Sequence, residues 1–393
     1  MASTTITAAA TIITAAVTAI DAVKKKFNWK GLLLGVVFVL GCFLGGILAG
    51  MIIGDSLGDD FTAEKYLTTL ALVLISTYGW LVAHIIIHEA GHMVFGLLTG
   101  YKFSSFRVFS WILMRKNGKF QLKRYTIPGT GGQCLMIPPE LVDGKMPCFL
   151  YNMGGCIFNT LAVIACVALS GVLHPAVWII GAVFGIILVA MNGIPRRKNV
   201  SNDGSNAFSL NKDPEAVRAF WQQMKMAEAM AAGIRMKDMP DEWFGVPTDD
   251  EMKNVMQAAQ GFIYCGRLLD AQKWDAFKTL ADHILSMESG LMGIQKDSLA
   301  CNRITCELLT EGNREVVENL LTDRLRQSMK ALKACIDIVR AEYAIALLYD
   351  KDEAKARKHL AAFEKAAKNY AYTGELEGER ELIAMIREKA ENQ

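Results

Sequence analysis

Residues 88–92 read His-Glu-Ala-Gly-His, a pattern that can grip a divalent metal ion. On a helix, the two imidazoles of such an HExxH stand one turn apart on one face and can share a zinc ion. The glutamate beside the first, Glu89, is then placed to act as a base. Leu81, Val82, Ile85, Ile86 and Ile87 precede the motif, and residues 94–98 continue the apolar run. Ionisable groups are costly in a stretch apolar enough to cross a bilayer, so their presence there marks function by default.

A catalytic zinc needs three protein ligands and one open position. His84, His88 and His92 recur every four residues, but positions 84 and 92 are roughly 12 Å apart along a helix axis. Imidazoles so separated cannot reach one ion at about 2 Å, so His84 reads as a hydrogen-bonded neighbour and the third ligand must come from elsewhere. Asp203 is the best candidate. Pro195 ends the last apolar stretch, and a polar loop then brings Asp203 with Gly204 beside it. The loop by itself fits a surface Asp-Gly turn equally well. A glutamate from a later helix, Glu228 or Glu342, is the rival ligand, and neither has a supporting motif.

The elements that must position these groups follow from composition. The chain has 393 residues, is 52% hydrophobic and 21% charged, and carries a formal net charge of +2, which gives no reason to propose nucleic acid as a partner. The average hides two unlike halves. Long apolar runs alternate with polar loops from residue 30 to about 195, whereas from about residue 211 charges recur every few residues. The expected fold is therefore mainly α. It comprises an N-terminal interfacial segment (1–29), a polytopic helical membrane domain (30–210), and a soluble all-α domain (211–393) long enough for its own core. Residues 1–20 lack a basic leader, and the lysines at 24–26 follow the apolar part. That is not a cleavable signal pattern, and an interfacial helix is favoured over a weak extra span. The nine cysteines contain no CxxC pair, so neither a disulfide framework nor a cysteine–zinc site is expected, and reduced thiols suit a cytosolic face.

Four spans are readable, at 31–54, 68–98, 149–173 and 176–195. The second exceeds the length a bilayer needs and should tilt, kink or protrude, with Gly91 and Gly96 as the places. Lysines precede the first span, the loop after it is acidic, the 101–147 segment carries eight lysines and arginines, and Arg196, Arg197 and Lys198 follow the fourth span. All positive segments thus fall on one side, taken as cytoplasmic, with both main termini there. This makes a multi-pass protein of a cell membrane, bacterial by its resemblance below. Depth adds a test. Glu89 lies roughly 16 Å inward from Gly100, and Asn159 roughly 15 Å inward from Phe149. Two polar side chains on separate spans at one depth suggest a shared cavity.

Between the second and third spans, residues 102–114 alternate β-formers, residues 116–119 signal a turn, and residues 120–127 resume an extended pattern before a glycine-rich stretch, 129–136, and Pro138-Pro139 break it. This reads as a hairpin. A re-entrant one could pair its edge with an extended substrate, and a surface one would merely join two spans.

His88-Glu89-Ala-Gly-His92, Gly155-Cys-Ile-Phe-Asn159 and Asn192-x-x-Pro195 followed by Asp203-Gly204 resemble, in order and in the spans between them, the three signatures of site-2-protease-type membrane zinc metallopeptidases. The stretch Gly131-Gly-Gln-Cys-Leu-Met136 before Pro138-Pro139 is similar to the re-entrant segment of a bacterial branch that includes peptide-maturation enzymes. That family usually has proline where Cys156 stands and four residues, not seven, before the aspartate. No PDZ-like module is apparent. The resemblance covers about residues 65–206. It implies that His88, His92 and Asp203 hold Zn2+, that Glu89 moves protons, and that Asn159 binds the substrate main chain or a developing oxyanion. The implied activity is zinc-dependent cleavage of membrane-spanning or leader-type peptides within the lipid bilayer. The alternative is a non-catalytic membrane scaffold that recruits partners through its helical half.

In that half, Phe220, Met224, Met226, Met230 and Ile234 suggest one apolar face, and 239–247 a loop. With turns at 266–271 and 349–354, the helices are loosely similar to tetratricopeptide hairpins. An unrelated helical bundle is the other reading. Such a groove could hold a protein partner or the cytosolic tail of a substrate, and the plain reading is a stabilising cap.

Overall fold

The computed structural model describes Gly54 and residues 62–393, other than 117, 128–129, 173, 196–201 and 334. The expected interfacial segment 1–29 and, Gly54 apart, the expected first span lie outside the described residues. Three helices are long and apolar enough to cross a membrane: α1 (Ala63–Leu98), α2 (Cys148–Ala168) and α3 (Pro175–Gly193). They correspond to the second, third and fourth expected spans. The third is shorter than expected because the chain turns after Ala168, where the Ser170 hydroxyl donates to the Val167 carbonyl. Caps set the starts of two of them. Thr62 accepts from the Lys65 amide before α1, and His174 with Pro175 opens α3.

Helix α1 has 36 residues, about 54 Å at 1.5 Å per residue, against a hydrocarbon core of about 30 Å. It runs unbroken through Gly91 and Gly96, so neither glycine interrupts it. Gly91 is there for contact. A Cβ at Gly91 would stand 2.2 Å from the Gly154 carbonyl oxygen in α2, so the two helices meet backbone to backbone, as small residues permit in lipid. Trp80 ties α1 to α3 by donating from its indole nitrogen to Val177 O at 2.7 Å.

Between α1 and α2 lies an antiparallel sheet of β1 (Lys102–Val108), β2 (Trp111–Lys116), β3 (Lys119–Arg124) and β4 (Gly132–Ile137), in the order β3-β2-β1-β4. Two features depart from the hairpin expected from sequence. The first extended run is split at Phe109 and Ser110, where Phe109 takes φ 51° and its amide donates to Gly131 O. The glycine-rich stretch supplies a fourth strand and does not end the sheet: β4 pairs with β1 and buries Cys134 and Met136 on one face.

The remainder is helical: α4 (Asp203–Ser209), α5 (Pro214–Ala232), α6 (Val255–Asp270), α7 (Trp274–Ser286), α8 (Gly293–Leu309), α9 (Arg314–Leu320), α10 (Asp323–Ala331), α11 (Ile336–Ala344), α12 (Glu353–Ala367) and α13 (Thr373–Glu391). The described chain is mainly α, as expected. Phe277, Ala281, Ile284 and Leu299 centre one core cluster, and Ile304, Val339, Phe363 and Ile386 another. The turn expected at 266–271 falls later, because buried Leu268 and Leu269 keep α6 helical to Asp270 and the reversal comes at Gln272, with φ 55°. The turn expected at 349–354 is present, centred on Lys351 with φ 56°.

Two contacts join this half to the sheet. Leu210, Val217 and Met224 share a core with Tyr101, Met136 and Tyr151. Farther along, Ala371 and Tyr372 pack on Ile112 and Met114 of β2.

Candidate metal centre

The helical spacing of His88 and His92 puts both Nε2 atoms on one face of α1, 3.2 Å apart. Asp203 Oδ2 lies 2.9 Å from His88 Nε2 and 3.4 Å from His92 Nε2. Ligands arranged tetrahedrally at about 2.0–2.1 Å from a zinc ion stand about 3.3 Å from one another. The three observed separations bracket that figure. The donor set, two imidazoles and one carboxylate, is also one that zinc accepts. The Asp203 carboxyl faces both imidazoles, and an aspartate ordinarily ionises at about pH 3.9. It is therefore present as the anion a metal requires.

Seven residues separate Asp203 from Pro195, and Asn202, next to Asp203, is tied to the end of α3. Its amide nitrogen donates to Met191 O at 2.9 Å and to Ile194 O at 2.8 Å, while its oxygen caps α4 by accepting from the Ser205 amide. Gly204 then nests on Gly193, where a Cβ would come within 2.1 Å of the Gly193 carbonyl oxygen.

Each imidazole is also oriented from behind. His92 Nδ1 lies 2.8 Å from Tyr151 O. A carbonyl only accepts, so Nδ1 carries the proton and Nε2 keeps its lone pair for a metal. His84 Nε2 faces Gly181 O at 2.8 Å, so this nitrogen is the protonated one. The other ring nitrogen, His84 Nδ1, lies 3.0 Å from Asn159 Oδ1, and Asn159 Nδ2 lies 3.2 Å from His88 Nδ1. Amide orientation is assigned from such networks. With both histidines neutral, the amide turned over, its nitrogen toward His84 Nδ1 and its oxygen toward His88 Nδ1–H, would satisfy both rings and free the His88 Nε2 lone pair. A chain of polar groups thus runs from α3 through His84 and Asn159 to His88.

The sequence placed Glu89 and Asn159 at one depth, and the structure brings Asn159 against the helix turn that carries Glu89. Asn159 is 0% exposed, and both ends of its amide face histidines. Glu89 is buried next to the start of β4: a Cβ at Gly132 would meet Glu89 Oε1 at 2.4 Å. Gly155 makes room for the His88 ring in the same way, with a Cβ there reaching His88 Cε1 at 2.5 Å. Arg107, 1% exposed, holds this wall in place by donating to Phe109 O, Thr130 Oγ1 and Gly132 O. It also stands within electrostatic reach of Glu89.

His84 is a hydrogen-bonded neighbour, as the helix arithmetic indicates. Glu342 lies far along the chain, beside His359 at 3.2 Å, and Glu228 pairs with Lys225. The Tyr151 carbonyl, the Gly132 and Gly155 clearances and Arg107 are contributions the sequence reading missed. The adjacent glycines 154 and 155 were the one available signal. No protein-family model, curated protein or solved structure matches this chain.

Proposed function

We propose that the chain is a membrane zinc endopeptidase of the site-2-protease type, cutting peptide bonds of membrane-spanning or leader-type substrates. The observation that carries this reading is the convergence of one donor atom each from His88, His92 and Asp203, all within 4.8 Å of one another, on a helix apolar enough to span a bilayer. Zinc held there would supply Lewis-acid polarisation of a carbonyl and a water acidified toward neutral pH. Glu89, one residue from His88 and walled by Gly132, takes the proton of the attacking water and delivers it to the leaving amine. Tyr151 O, Asn159 and His84 keep the imidazoles in the tautomers that leave Nε2 free.

The sheet supports a peptide as substrate. Strand β4 is an edge strand, and it begins at Gly132 beside Glu89. An extended segment adding to that edge would bring its main chain past the carboxylate, with alternate side chains setting preference. We take the sheet and the helical half as cytoplasmic, a reading that the lysines and arginines flanking the apolar helices support. There the helical half, read as tetratricopeptide-like, offers a surface for a partner or for a substrate tail.

The decisive experiment uses Glu89→Gln in the full-length protein. Cleavage of co-expressed membrane or leader peptides should fall by about 10²–10⁴-fold or more, while zinc stays stoichiometric and the circular dichroism is unchanged. Undiminished cleavage by this variant would remove Glu89 from the mechanism. Zinc-free, folded wild-type protein would remove the peptidase reading altogether.

A further inference from the structure

A second site lies in the helical half, away from the metal centre. A cavity of about 160 Å³ opens among α5, α6, α8, α11 and α13, close to the roughly 150 Å³ that holds a benzene ring in an engineered protein core. Its lining mixes apolar side chains, among them Ile234, Phe262 and Leu299, with Asp270, Asp337, Glu375, Glu379 and Glu381 and a single lining cation, Arg235.

The charges do not cancel. Arg235 is engaged by Asp270 and Glu381, and Glu379 is engaged by Arg340 from outside the cavity. Asp337 accepts from the Ser298 hydroxyl, and among the described residues no lysine, arginine or histidine pairs with Asp337 or Glu375. The Glu375 Oε2 atom has no accessible surface and no hydrogen-bond partner. Burial, with Glu379 and Asp337 adding to it against a hydrogen bond from Tyr370, pushes this carboxyl up to about 8. At neutral pH this carboxyl therefore keeps its proton unless a cation stands against it, and a buried carboxyl oxygen with no partner is rare in folded proteins.

We propose that this cavity binds an organic cation, a guanidinium or ammonium group on a short apolar stem, with Asp337 taking the charged head, the Glu375 carboxyl turning into the cavity to join it, and Phe262 and Leu299 among the side chains that take the stem. A bare metal ion would leave the apolar lining unused, and an anion would meet the carboxylates. A planar guanidinium offers several donors to carboxylates arranged around it. The cation has two sources of the same chemistry, a free small molecule or a basic side chain of a partner protein.

The site also abuts the joint between the two halves. Glu375 lies in the first turn of α13, three residues from Tyr372, whose ring meets Tyr125 after β3 edge-on at 4.9 Å. Gly374 in the cavity wall sits against the Gly233 carbonyl, where a Cβ would reach 2.7 Å.

The test is calorimetric titration of the full chain in detergent with n-propylguanidinium, with the uncharged isostere n-propylurea, and with a short capped peptide containing one arginine. Proteolysis is not read, so the outcome is independent of the proposed reaction. The guanidinium should bind saturably and the urea should not. Glu375→Gln and Asp337→Asn, each checked for retained helix content, should weaken binding about tenfold or more. Tighter binding of the peptide assigns the cation to a protein partner, and equal or weaker binding to a small molecule. Absence of guanidinium binding up to about 10 mM, binding of the urea as strong as that of the guanidinium, or undiminished binding by both folded variants would overturn the proposal.

Discussion

Buried ionisable groups occur in both halves of the molecule, and their partners differ in kind. In the helical half, Arg340 is 0% exposed and is clasped by Glu379 and Asn302, while Arg303 bridges Asp282 and Glu307. These are opposite charges set against each other. At the candidate metal centre, His88, His92 and Asp203 each bring one potential ligand atom to within 4.8 Å of the others. With both imidazoles protonated at Nδ1, such a cluster of acceptors calls for a cation among them, whereas a clasped pair carries its own counter-charge. The difference separates a site from a strut without reference to any relative.

Asp203→Ala presses hardest on this contrast. It removes one donor of three and the only anionic one, so zinc should drop from about one per chain toward zero, with cleavage lost alongside it. Elemental analysis of the purified protein decides the matter. The helical half should unfold as before, because Asp203 lies on the short helix α4 next to α3 and touches none of its core. Full zinc occupancy in this variant would place the third ligand elsewhere and unmake the centre described above.

Arg340→Met makes the converse cut. It strands Glu379 beside Asp337 and Glu375 in the interior, and breaking one side of a buried pair typically costs about 3–5 kcal/mol. Denaturation followed by circular dichroism should show that loss, with zinc content unchanged. Replacing Glu379 by leucine in the same chain should recover much of it, since an apolar pair needs no counter-charge. A single variant as stable as the wild type would mean that the ion pair is not a strut.

How much of this was legible beforehand follows the same line. The side chains of the candidate site announce themselves by type and spacing: His88, Glu89 and His92 by the helix turn, His84 as a non-ligand by axial distance, and Asn159 by depth. Asp203 was legible as a candidate, but its closure on α1 was not: Asn202 beside it is tied to the carbonyls of Met191 and Ile194. Main-chain groups leave no residue signature, and the Tyr151 carbonyl that orients His92 is one. Glycines read as breakers from sequence, yet Gly132 opens a strand and Gly91 packs a helix, because the close approach that requires them is tertiary. The turn at Phe109 was hidden for a related reason. It is held by the Gly131 carbonyl from another segment and by the neighbouring Arg107 side chain folding back on Phe109 O, and alternation alone continued through it.

Asn159→Ala gives the smallest effect and the finest distinction. The family resemblance assigns this side chain to the substrate, whereas its 0% exposure and its place between His84 and His88 assign it to the metal ligand. If it orients His88, its loss should weaken zinc binding about 10–100-fold, the usual cost of removing a partner behind a metal-bound histidine. Zinc competition against a chelator would register this with no substrate present. If it binds substrate, zinc affinity should stay as it was while KM rises or kcat falls at full metal loading. A buried amide with both ends on imidazoles has no free donor to offer a peptide, so the first outcome is the one the geometry requires. Unchanged zinc affinity would return Asn159 to the substrate and leave His88 oriented by Asp203 alone.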